Sequence, residues 1–118
     1  MNSPIKIDVT TDGSGDCTAY GSSCQGLVYA VQLVDGDLAD GVDVTLTVEN
    51  ENYSQPVLVQ ADFNSDQLVY PRVLEAGNTD GAALSTYCMP IVYGQPKVVI
   101  AQGGDTKTGA VILYVMEI

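Results

Sequence analysis

Histidine and tryptophan are absent from this chain of 118 residues, phenylalanine occurs once, and Lys and Arg together number four. Without histidine no side chain has an ordinary pKa near neutrality, which removes every Ser-His and Cys-His nucleophile pair and many hydrolase classes with them. So few cations argue against DNA or RNA binding, which relies on Lys and Arg to neutralise phosphates. The shortage of large aromatics leaves few platforms for stacking on sugars. No apolar run approaches the ~18 residues of a membrane-spanning helix. The start, Met1-Asn2-Ser3-Pro4-Ile5-Lys6, lacks the charged-then-apolar layout of a secretory signal. Synthesis in the cytoplasm and no membrane partner are the expectations.

Cysteine is scarce and odd in number: Cys17, Cys24 and Cys88. An odd set argues against a complete internal disulfide framework, and free thiols are expected, although Cys17 and Cys24 are close enough in sequence to pair under oxidising conditions. Three thiols with no histidine and no Cys-x-x-Cys also fall short of a structural zinc site.

What the chain has is acid. Fifteen Asp and Glu give a formal charge of −11, and eleven of them fall between Lys6 and Arg72, a stretch of 65 residues with no Lys or Arg. Unpaired ions are costly to bury, so these carboxylates belong on the surface. Such a surface repels phosphate backbones and favours a basic or neutral partner.

The apolar residues recur with a period of two, the signature of half-buried strands. Val42, Val44, Leu46 and Val48 alternate with Asp43, Thr45, Thr47 and Glu49, and Ile5, Ile7 and Val9 alternate with Lys6, Asp8 and Thr10. Residues 27–34 and 110–115 are apolar on both faces, as expected of central strands or of strands covered by a partner. Weaker strand signals lie at 17–20, 57–61, 68–74, 89–93 and 97–102. Asp-Gly pairs at 12–13, 35–36, 40–41 and 80–81, with Gly103-Gly104, supply turns. They leave little room for a helical period, and the best window, 72–83, is cut by Gly77 and Gly81. The expectation is one all-β domain over 1–118, an antiparallel β-sandwich or jelly roll of about eight to nine short strands with at most one short helix.

Candidate chemistry is thin. Asp35, Asp37, Asp40 and Asp43 pack four hard oxygen donors into nine residues, a calcium alternative to plain Asp-Gly turns. Their spacing fails the helical calcium loop, since Ala39 stands at position five and glycine at seven. Asp12-Gly13-Ser14-Gly15-Asp16 has donors at one, three and five but no glycine at six. Ser3-Pro4-Ile5-Lys6 and Lys107-Thr108-Gly109 match two elements of penicillin-recognising enzymes only superficially, because the chain is too short and the third element is missing. Asn52-Tyr53-Ser54 fits a glycosylation sequon but reads as a hairpin loop. No catalytic residue, resident metal or cofactor is expected. Tyr70-Pro71-Arg72 has interface composition, Tyr beside Arg, with a proline that forces an edge strand or a bulge. The partner-facing residues expected from the sequence are therefore Tyr70 and Arg72, with Ile5, Lys6 and Ile7 of an opening segment, 2–9, suited to strand addition on a neighbour.

The segment Lys97-Val98-Val99-Ile100-Ala101-Gln102-Gly103-Gly104-Asp105-Thr106-Lys107-Thr108-Gly109-Ala110-Val111, preceded by Tyr70-Pro71-Arg72 and Leu46-Thr47-Val48-Glu49, resembles small virion proteins of tailed bacteriophages encoded near the major capsid gene. The resemblance implies a decoration, or cement, protein. Such an all-β module oligomerises as a homodimer or homotrimer and clamps the outer surface of the capsid at joints between copies of the major capsid protein. It transfers no site residue. A head-tail or tail connector and a receptor- or glycan-binding sandwich are the alternatives.

Overall fold

The computed structural model describes residues 4–117, which form ten β-strands and no helix. In chain order these are β1 (Ile5–Thr10), β2 (Cys17–Tyr20), β3 (Cys24–Val34), β4 (Val42–Glu49), β5 (Ser54–Phe63), β6 (Gln67–Val69), β7 (Val73–Ala76), β8 (Ala83–Cys88), β9 (Ile91–Ala101) and β10 (Thr108–Glu117). Eight of them follow the order β1-β10-β3-β9-β4-β5, with β2 added on β9 and β6 on β3, and β7 and β8 make a separate two-stranded sheet. All pairings are antiparallel. The protein is all-β, a sandwich as its alternation implies.

The two layers are joined at one corner. One layer holds β1, β10, β3 and β6, and the other holds β2, β9, β4 and β5. At the corner Cys24 to Leu27 of β3 pair with Gly94 to Ile91 of β9, after which β9 continues alongside β4 from Gln95 to Ala101. Gly94 sits at the turn of this corner with φ +142°, and a Cβ there would lie 2.2 Å from the carbonyl oxygen of Glu49. Only glycine allows that approach. Pro96 follows where pairing with β3 has ended at Gly94 and pairing with β2 begins at Lys97. Its missing N–H therefore falls in a gap of the ladder. For this reason residues 89–93 and 97–102, expected as two strands, are one bent strand.

Alternate residues of both layers fill the space between them. Val9, Val28, Val31, Leu33 and Leu113 of one layer meet Val44, Leu46, Val48, Val98 and Ile100 of the other, with Phe63 at the edge, all buried. Burying each such side chain contributes about 1.5–3 kcal/mol. The central placement of β3 and β10 agrees with their two-sided apolar pattern. Residues 72–83 are not a helix: Gly77 and Gly81 close the β7–β8 hairpin, with Gly81 N–H donating to Gly77 O at 2.8 Å and Ala82 N–H to Asp80 Oδ1 at 3.0 Å. The apolar stretch 68–74 divides at Tyr70-Pro71-Arg72 into β6 and β7, because proline cannot donate to the ladder.

Candidate interaction surface

The outer face of the β1-β10-β3-β6 layer collects residues far apart in sequence. Register places Lys6 opposite Ile112, Ile112 opposite Gln32, and Gln32 opposite Leu68, one row across four strands. In the next row Tyr114 stands opposite Ala30. Tyr29, Ala30, Gln32, Leu68, Tyr70 and Tyr114 line a groove of about 390 Å³. Ala30 is its floor, only 3% exposed although it does not belong to the sandwich core. An irregularity in the β3–β10 ladder at Tyr114 and Val115 turns Ala30 to this outer side while Val31 and Leu33 stay inside. The Tyr29 and Tyr114 rings lie 6.0 Å apart at 46°, and the Tyr114 hydroxyl donates to Gln32 Oε1 at 2.8 Å, which fixes the wall.

From the rim of this groove the β7–β8 hairpin projects. β6 pairs with Val31 to Leu33 and β9 with Cys24 to Leu27, so the same edge of β3 is vacated between them. The arm leaves through that gap. Its returning leg is held by Val28 N–H donating to Pro90 O at 3.0 Å, and its outgoing leg by Arg72, whose Nη1 donates to Pro71 O at 2.6 Å and Tyr29 O at 3.4 Å. Beyond this base the two strands pair only with each other, Val73 opposite Cys88, Leu74 opposite Tyr87 and Ala76 opposite Ala83. Strand parity sends Leu74, Ala76, Ala83, Ser85 and Tyr87 to one face and Val73, Glu75, Leu84, Thr86 and Cys88 to the other. Leu74 (49%), Leu84 (48%) and Tyr87 (63%) are exposed, so each face of the arm presents large apolar side chains to water.

Of the residues expected at an interface, Tyr70 lines the groove at 59% exposure and Lys6 faces outward in the row beside it. Arg72 sits at the arm's base, bound to main-chain carbonyls, with no carboxylate within ion-pair distance among the described residues. Ile5 and Ile7 require correction. Ile7 is 2% exposed within the core and Ile5 packs against it, since alternation that turns Lys6 outward turns its neighbours inward. The opening strand is β1 from Ile5, already paired to β10, and residues 2 and 3 of the strand-addition segment lie outside the described residues. The arm itself was not foreseen, because Ala83–Cys88 lacks the alternation that marks a half-buried strand.

The acidic segment between β3 and β4 serves as a brace. Asp37 accepts the Thr108 N–H at 2.6 Å and its hydroxyl at 3.2 Å, Asp43 accepts the Asp62 N–H at 3.0 Å, and Asp66 accepts the Asp35 N–H at 2.8 Å. The Thr108 amide holds the Asp37 carboxyl below its ordinary pKa. Asp35 is pushed up, first by burial and then by the charges of Asp40, Asp66 and Asp37, and its Oδ1 is buried without a hydrogen-bond partner. Among the described residues no group of three or more His, Cys, Asp or Glu is placed to hold a metal ion. Asp12 is pulled down by the Asp16 and Ser14 amides it accepts, at 3.0 and 2.8 Å, which closes the 12–16 turn on itself.

A wider cleft, about 730 Å³, lies at the corner of the sandwich between the β4–β5 turn and the ends of β3, β9 and β10. Glu49, Glu51, Tyr53, Tyr93 and Glu117 are on its wall. Glu49 accepts the Ser54 hydroxyl, the main reason its pKa is lowered. Cys24, also on that wall, is a buried thiol whose pKa is raised first by burial and then by Glu117, the condition of an unreactive cysteine. Cys17, Cys24 and Cys88 are all free.

Compared with known proteins, the chain matches no family model, no curated protein and no solved structure. Its arm, groove and acidic braces are the features from which a function must be argued.

Proposed function

We propose that this chain is a non-enzymatic structural protein of a tailed-phage virion, which decorates the outside of the capsid and stabilises it by bridging copies of the major capsid protein. The observation that carries this reading is the projecting β7–β8 arm, which exposes large apolar side chains on both faces and is rooted beside a tyrosine-lined groove. An isolated two-stranded hairpin is marginal in water, so a surface like this is built to be covered by protein. Tyr70, Tyr87, Tyr29 and Arg72 supply the residue types enriched where interfaces concentrate their binding energy. The charge of −11 supports an outer position, away from packaged DNA.

The test is compositional. Purified particles are expected to contain the protein in hundreds of copies, and particles assembled without it to release DNA at lower temperature. A few copies at one vertex would replace this reading with a connector. Absence from the particle would end it.

A further inference from the structure

We infer that the occupant of the tyrosine-lined groove is the β7–β8 arm of a second copy of this chain, exchanged reciprocally. This contact goes beyond the decoration reading and is tested on the isolated protein, so either can fail alone.

Three observations select a second copy. The first is shape: one molecule carries both a projection with Leu74, Leu84 and Tyr87 exposed and an apolar groove of about 390 Å³, room for a few such side chains. Arm and groove adjoin, Tyr70 lining the groove three residues before β7 begins. A two-fold axis beside them therefore seats each arm on the other's groove in one closed, isologous contact. Reciprocity doubles the buried area, which is how so small a surface approaches the ~1,600 Å² total of a stable interface.

The second is charge. Two of the four cations, Lys6 and Arg72, lie on the groove side of the molecule, Lys6 in an exposed pair with Asp8 at 3.7 Å, whereas the arm carries Glu75 and, at its tip, Asp80. On a body of net charge −11, the face that holds two of the four cations is where an acidic arm of a second copy is least repelled. The third is spacing. Lys6 stands two strands from Gln32 in the groove, about 9.6 Å. Asp80 lies four residues from Leu84, at most ~13 Å along an extended chain. With Leu84 in the groove, Asp80 falls within reach of Lys6.

Sedimentation velocity of the full chain over a range of concentrations tests the proposal. The protein is expected to dimerise, and Leu84→Ser with Tyr87→Ser on the arm, or Leu68→Glu in the groove, should each raise the dimer dissociation constant roughly tenfold or more while leaving the circular dichroism unchanged. Lys6→Asp and Asp80→Lys should each weaken the dimer, and the two together should restore it. As a check independent of the stability of any one variant, isotope-labelled Leu84→Cys protein is mixed with unlabelled Leu68→Cys protein and treated with a short bismaleimide. A link from position 84 to 68 between the labelled and unlabelled chains is expected. A protein monomeric at every concentration, a dimer indifferent to both arm and groove substitutions, or no such link would overturn the inference.

Discussion

Asp37 and Thr108, 71 positions apart in sequence, are joined through both the amide and the hydroxyl of the threonine, at 2.6 and 3.2 Å to the same carboxylate oxygen. The return bond, Asp37 N–H to Thr108 O at 3.0 Å, closes the link in both directions. It ties the turn after β3 to the first residue of β10, so the central pair of the outer layer is pinned at one end by an ionised side chain.

That pin makes stability sensitive to acid. The folded-state pKa of Asp37 is lowered from 3.8, mainly by the Thr108 amide, and that of Asp12 is lowered by its loop amides. Each therefore contributes stability that is present above the unfolded value and lost as pH falls through the folded one. Thermal scans of Asp37→Ala against the parent should show a lower midpoint at pH 7 and a smaller loss below pH ~4. Equal acid sensitivity in the two proteins would contradict the role given to this carboxylate.

Asp35 has the opposite sign. Its folded-state pKa is raised by burial and by three neighbouring acids, so its ionisation destabilises the fold above that pKa, and the penalty is relieved as pH falls toward 3.8. Asp35→Asn should raise the melting midpoint at pH 7, with the advantage fading in acid. A lower midpoint at neutral pH would mean that Asp35 has a partner the geometry does not reveal.

Gly94→Ala tests the corner of the sandwich. The added methyl meets the Glu49 carbonyl, and φ +142° is unfavourable to any side chain, so the loss should exceed about 1 kcal/mol. Urea titration reads it directly, and an unchanged midpoint would show that the corner relaxes without cost.

Excising the arm should separate folding from binding. Replacing residues 73–88 by a short Gly-Ser linker removes strands that pair only with each other, and the sandwich should keep its melting midpoint to within about 4 °C, the shift that a change of about 1 kcal/mol produces in a domain of this size. Dimerisation should be lost. A body that unfolds without the arm would make the hairpin part of the core rather than a docking element.

Much of the sandwich was legible because its local pattern is strong. In β4 every second residue is Val or Leu, and that alone dictates a strand with Val44, Leu46 and Val48 inward. In β1 the same rule already separated Lys6 from Ile5 and Ile7, which is why Lys6 reaches the outer face and the two isoleucines do not. β9 was harder to read, because Gly94-Gln95-Pro96 has the chemistry of a break and becomes a corner only when β3 and β4 are in place. β8 gave no alternating signal because neither of its faces meets the core.

Period, turn chemistry and charge are properties of neighbours along the chain, and from them the all-β class, the acid-rich surface and the suspicion that falls on Tyr70 and Arg72 follow directly. Which distant residues meet is settled by register and sheet order, which depend on packing among segments that no local pattern connects. The row Lys6, Ile112, Gln32, Leu68 exists only because β1, β10, β3 and β6 lie side by side. The arm likewise stands clear because β6 and β9 take the two ends of one edge of β3 and leave between them a gap that only the arm's base enters.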